Sequence, residues 1–99
     1  MGRLEIQREY PGKSPSECYQ ACIRAATAAG YSIFKKREIA SLVICQGFIQ
    51  GAPVELSLMV PLGTPTRVQL SLSGDRCDQE ALVRESERLC EILELEVKR

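Results

Sequence analysis

The chain has 99 residues, 44% of them hydrophobic and 26% charged, with 13 basic and 13 acidic side chains and no histidine. These proportions exclude a disordered or low-complexity segment, and the length suits one domain spanning 1–99 with one core. The zero net charge removes the general attraction that nucleic acid or an anionic membrane requires. Residues 1–67 carry eight basic and five acidic side chains and residues 68–99 carry five and eight, a skew that an acidic terminal helix explains.

From the N-terminus, Arg3 to Tyr10 alternates, with Leu4 and Ile6 on one side and Arg3, Glu5 and Gln7 on the other, as in a half-buried strand. Pro11-Gly12 ends it. Ser14 to Gly30 then has the marks of a helix: Ser14 as N-cap, Pro15 at the first helical position, Glu17 completing a capping box and Gly30 closing the end. At 100° per residue, Cys18, Tyr19, Cys22, Ile23, Ala25, Ala26 and Ala29 share an arc of about 160°. That small-residue face predicts a helix lying close to its sheet.

Tyr31 to Lys36 and Ser41 to Ile49 are the next two strands, joined by a charged turn around Lys36-Arg37-Glu38. Leu42-Val43-Ile44-Cys45 is apolar on both parities, which predicts a central or doubly covered strand. After the turn Gln50-Gly51-Ala52-Pro53, Val54 to Val60 alternates cleanly, and beyond Leu62-Gly63-Thr64-Pro65 so do Val68, Leu70 and Leu72. Short turns between consecutive strands favour antiparallel neighbours. Asp75 or Asp78 caps a terminal helix whose inner arc of about 120° holds Leu82, Val83, Leu89, Cys90, Leu93 and Val97. Glu94 and Glu96 oppose the dipole of that helix, so tertiary contacts must hold its end. The expected fold is α+β, β-α-β-β-β-β-α, a two-layer sandwich with a five-stranded antiparallel sheet and both helices on one face.

The helix start Pro15-Ser16-Glu17-Cys18-Tyr19 and the helix exit Ala29-Gly30-Tyr31, with this order of elements, resemble small uncharacterised bacterial proteins of the TATA-box-binding-protein-like and helix-grip (START-like) fold group. The first resemblance implies a DNA-binding concave sheet with aromatic wedges, for which only Phe34 and Phe48 are present, in one repeat without net charge. The second implies an apolar ligand held between the sheet and the terminal helix, in a cavity that 99 residues build only in reduced form. Neither brings a catalytic motif, and fold alone does not carry function.

Chemistry-bearing constellations are sparse. Cys18 and Cys22, four apart on a helix, are farther apart than a disulfide wants and lie in the apolar arc, where cysteine behaves as a small hydrophobe. Cys77 and Cys90 are too distant in sequence to share an ion if both are helical. No zinc spacing and no phosphate loop occur, so no metal and no cofactor is expected. Without histidine, Glu5 and Glu55 would be the strand carboxylates left for proton transfer, and both read as solvated surface. Lys35-Lys36-Arg37 has no aromatic platform beside it and reads as a solvated turn.

The remaining signal is the sheet face turned away from the helices. If Val54, Leu56, Leu58, Val60, Val68, Leu70 and Leu72 face inward, then Glu55, Ser57, Met59, Gln69, Ser71 and Ser73 face out. The second and third strands add Phe34 and either Val43 with Cys45 or Leu42 with Ile44. A non-enzymatic binding or assembly domain follows, meeting a protein partner or its own copy through the apolar half of that face near Phe34, Val43, Cys45, Ile49 and Met59. The alternative is a small helix-grip-like carrier of an apolar ligand. An enzyme ranks behind both, and neither nucleic acid nor membrane is expected as a partner. The odd cysteine count and the absence of an apolar leader point to a cytoplasmic protein.

Overall fold

The computed structural model describes residues 2–99, in the order β1 (Gly2–Glu9), α1 (Pro15–Ala28), β2 (Ser32–Arg37), β3 (Leu42–Ile49), β4 (Ala52–Met59), β5 (Arg67–Gly74) and α2 (Gln79–Val97). The five strands form one sheet in the order β1-β5-β4-β3-β2, with every neighbouring pair antiparallel. β2 to β5 is a meander, and β1 returns to pair with β5. The connection through α1 therefore runs from one edge of the sheet to the other. The expected α+β class and element order hold.

α1 starts where its capping residues place it. The Ser14 hydroxyl accepts from the Glu17 N–H at 3.1 Å, and Glu17 Oε1 accepts from the Ser14 N–H at 3.0 Å. This reciprocal box satisfies two N-terminal donors that no helical carbonyl can reach. Gly30 leaves the helix at φ +92, a left-handed turn that favours glycine. Cys18, Tyr19, Ala21, Cys22, Ala25 and Ala26 are buried, while Ile23 and Ala29 lie on the flank.

α2 begins at Asp78 rather than Asp75: Asp78 Oδ1 accepts from the Ala81 N–H at 2.8 Å. Its buried face is Leu82, Ser86, Leu89, Cys90, Leu93 and Val97. Val83, expected inside, is 37% exposed. Ser86 lies inside the arc instead and donates its hydroxyl proton to the Val83 carbonyl at 2.7 Å, so its burial leaves no unmet donor. The unfavourable C-terminus is held from outside the helix. Arg24 of α1 pairs with Glu96 at 2.9 Å and also donates to the Glu96 carbonyl at 3.1 Å. Five residues further along α1, the Ala29 carbonyl accepts from Arg88 at 3.0 Å, so the two helices run antiparallel.

Between the layers, Leu56, Leu72, Leu82 and Leu93 are the largest fully buried side chains, with Val43, Val60 and Val68 around them. Truncating a buried leucine of this kind to alanine costs about 2 to 5 kcal/mol. β3 and β4 are joined by the two residues Gln50 and Gly51, with φ of +50 and +82, the type I′ signature that matches strand twist. β4 therefore starts at Ala52, two residues earlier than the alternation alone indicates. Pro53 is tolerated in this inner strand because the β4–β5 ladder begins only at Glu55.

Candidate functional site

Both helices cover one face of the sheet; the register defines the other. Three rows cross it from β1 to β2: Arg3, Ser73, Glu55, Gln46, Ser32; then Glu5, Ser71, Ser57, Ile44, Lys35; then Gln7, Gln69, Met59, Leu42, Arg37. Arg3 and Glu5 join serines and glutamines on the β1–β5 half. Leu42, Ile44 and Met59 form an apolar strip on β3 and β4, and Lys35 and Arg37 border it on β2. The small serine side chains leave a shallow concavity of about 440 Å³ over Ser57 and Ser71, walled by Leu42 and Met59 on one side and by Arg3, Glu5 and Gln7 on the other. A second hollow of about 770 Å³ lies toward the opposite end of the sheet, around Gln46, Phe48, Pro53, Glu55 and Arg76.

The apolar strip leads to one end of the sheet. The β2–β3 turn and the β4–β5 loop meet there, joined by the Val60 N–H donating to the Ser41 carbonyl at 2.9 Å. Ile39 on that turn and Leu62 on that loop are 106% and 92% exposed. Ile39 and Leu62 thus project into solvent from two loops that meet at the end of the sheet where Leu42 and Met59 pair, with Arg37 opposite Leu42 and Lys35 opposite Ile44. Among the described residues, neither of these two cations has an ion-pair partner, whereas Arg3 is held by Glu5 at 2.8 Å and Arg67 by Glu9 at 3.4 Å.

The residues expected on this surface separate. Met59 lies on the open face. Phe34, 52% exposed, is the extra residue of a bulge between Ile33 and Lys35 at the β2 edge. Val43 and Cys45 are on the covered face and fully buried, and Ile49 packs against the same core. The register gives the reason: Met59 sits opposite Leu42 and Leu58 opposite Val43, so the outward position of Met59 turns Leu42 and Ile44 out and Val43 and Cys45 in. Phe48, 72% exposed opposite Pro53, is also on the open side.

Beneath the helices the reactive side chains are quiet. All five cysteines are free and buried. Burial pushes the Cys22 thiol up to about 12, with Cys18 and Cys45 nearby adding to it, and burial pushes Cys45 up to about 11. Thiols held protonated are poor nucleophiles and poor metal ligands at neutral pH. Among the described residues, no group of three or more cysteine or acidic side chains is placed to hold a metal ion. The Tyr10 hydroxyl is buried without a hydrogen-bond partner among the described residues, and burial, then Glu94, raises its pKa. Tyr31 donates to Glu85 at 2.7 Å, and Arg88 pairs with Glu85 at 2.7 Å. This chain of bonds ties the start of β2 to α2. Burial favours the protonated Glu85 carboxyl, but hydrogen bonds from Arg88 and Tyr31 outweigh it and the net shift is downward.

An α+β two-layer sandwich with an uncovered sheet face is the class these features define. No protein-family model matches the sequence. No curated protein sequence matches it either. Among solved structures it is similar to TTHA0849 from the bacterium Thermus thermophilus, with a TM-score of 0.56 and 13% identity over 97% of each chain. At that identity the likeness is one of fold. No helix among the described residues is long and apolar enough to cross a membrane.

Proposed function

We propose that the chain is a non-enzymatic binding module whose working surface is the helix-free sheet face, and that the partner is a protein segment carrying acidic side chains beside apolar ones. The observation that carries this reading is the outward strip of Leu42, Ile44 and Met59, with exposed Ile39 and Leu62 on the loops at its end and, bordering it on β2, Lys35 and Arg37, two cations without ion-pair partners among the described residues. Large apolar side chains clustered on a surface and rimmed by charge mark protein contacts more often than solvated faces. Two neighbouring cations favour an acidic rim on the partner and set orientation more than affinity. The carrier reading draws less support: both concavities described above lie outside the sheet–helix interior, which is filled by Leu56, Leu72, Leu82 and Leu93. An enzymatic reading draws less support: the carboxylates on the face, Glu5 and Glu55, are both exposed, and Glu5 is paired with Arg3 at 2.8 Å. Five unpaired thiols fit a reducing compartment such as the cytoplasm.

Calorimetric titration with a synthetic amphipathic peptide, leucine on one face and glutamate on its flanks, tests the reading. Binding is expected, weaker by roughly tenfold or more for the same peptide with lysine in place of glutamate, and lost in Ile44→Lys. Equal affinity for both peptides, or full binding by Ile44→Lys, contradicts it.

A further inference from the structure

The two edges of the sheet are built differently, and the difference points to a second copy of the chain. On β2 the ladder slips at Phe34, and Lys35, Lys36 and Arg37 follow in succession. A bulge and a run of one charge are the usual devices that keep an edge strand from pairing. β1 has neither. It is an eight-residue strand with unbroken register against β5, no proline, and both signs of charge.

The direction of its free hydrogen-bonding groups follows from one bond. The Tyr10 N–H donates to the Thr66 carbonyl at 2.8 Å, continuing the β1–β5 ladder. In an antiparallel pair the inward-bonding residues recur at every second position, so Arg8, Ile6 and Leu4 bond to β5, and Arg3, Glu5, Gln7 and Glu9 direct their N–H and C=O groups to the free edge. The Gln79 side-chain amide donates to the Arg3 carbonyl at 3.4 Å, which agrees with that direction and means that pairing at Arg3 must displace Gln79.

We propose that this edge pairs antiparallel with the β1 edge of a second copy, about a two-fold axis at Ile6, to join two five-stranded sheets into one. The outward residues must meet outward residues, which restricts the register to shifts of two. Centred at Ile6, Arg3 faces the partner's Glu9 and Glu5 faces the partner's Gln7, with Ile6 against its own copy. A shift in one direction sets Glu5 against the partner's Glu5, and a shift in the other sets it against the partner's Glu9. Both shifts place like charges directly opposite, which destabilises a ladder. Of these three registers, the central one alone sets no like charges directly opposite. Because the axis is perpendicular to the sheet, all helices stay on one side and the open faces become continuous. The inference goes beyond the face reading and stands or falls separately from it.

Sedimentation equilibrium of the full chain should give twice the 11.0 kDa chain mass. In hydrogen exchange, the Gln7 and Glu5 amides should be protected at high concentration and released on dilution, whereas Ile6 and Arg8 stay protected. Gln7→Pro removes an outward N–H without touching the bonds to β5, and should weaken the dimer by roughly a hundredfold while leaving the circular dichroism spectrum intact. Arg3→Glu should also weaken it, and Arg3→Glu with Glu9→Arg should recover most of the loss, a rescue that does not depend on how Gln7→Pro folds. A mass of 11.0 kDa at millimolar concentration, a dimer unaffected by Gln7→Pro, or failure of the charge swap to rescue overturns the proposal.

Discussion

Replacing Gly47 by alanine sets a methyl group against the ring of Tyr31. A Cβ built at Gly47 lies 2.7 Å from Tyr31 Cδ2 and 2.8 Å from Cε2, inside the distance that real contacts keep. The ring cannot step aside freely. Tyr31 is 6% exposed, its N–H donates to the Ala26 carbonyl at 3.0 Å, and its hydroxyl donates to Glu85 at 2.7 Å. Overpacking of this kind costs about 1 to 3 kcal/mol, and loosening a hydrogen bond to a carboxylate adds about 1.5 kcal/mol or more. We expect Gly47→Ala to destabilise by about 2.5 to 4.5 kcal/mol, which for a domain of this size lowers Tm by roughly 10 to 35 °C. Denaturant titration with a thermal scan measures it. In a Tyr31→Leu background the same substitution should cost under about 1 kcal/mol, because the obstructing ring is gone. A single-mutant cost below about 0.5 kcal/mol, or an equal cost in both backgrounds, refutes the reasoning.

Three further outcomes follow from the interior. Cys22 is fully buried on the small-residue face of α1, so Cys22→Leu should cost about 1 to 3 kcal/mol by urea denaturation and Cys22→Ala less; a neutral leucine variant would mean that the helix does not lie close to the sheet. With all five thiols buried, a thiol-reactive disulfide reagent at pH 8 should label none rapidly in the native protein and all five in denaturant, and one fast native thiol would contradict the packing. Glu85 has a folded pKa below its ordinary 4.5, so its contribution to stability is present above that value and is lost as pH falls through the lowered pKa. Thermal scans from pH 6 to pH 2 should therefore show a smaller acid-induced decline in Glu85→Gln than in the parent; an identical decline would remove Glu85 from the account.

The parts of this fold legible from sequence are those where neighbouring residues report on each other. Ser14, Pro15, Glu17 and Gly30 state the limits of α1 locally, and β4 and β5 alternate so strictly that their inward residues can be named. β3 cannot be oriented that way, because Leu42, Val43, Ile44 and Cys45 are apolar on both parities and carry no periodic signal. Its orientation is imposed from a distance, by the two-residue turn at Gln50-Gly51 that sets Leu42 opposite Met59. The turn residues are readable, but taken as four turn positions rather than two they leave the register open, and with it the side on which Val43 and Cys45 lie. The corner of Ile39 and Leu62 is not legible for a related reason: it is made by two loops brought together at the Ser41–Val60 hydrogen bond. Ser86 is hidden because a polar side chain that satisfies itself on its own helix looks like surface in a hydrophobicity pattern.

The central claim is that the helix-free face, along the apolar strip of Leu42, Ile44 and Met59, is the surface that binds. Methyl-resolved NMR during titration with the acidic amphipathic peptide tests it most directly. The account predicts progressive shifts of the Leu42, Ile44, Met59 and Ile39 methyls, with Leu56, Leu72 and Leu93 beneath the helices unmoved. Shifts confined to the interior leucines, or none at millimolar peptide, would contradict it.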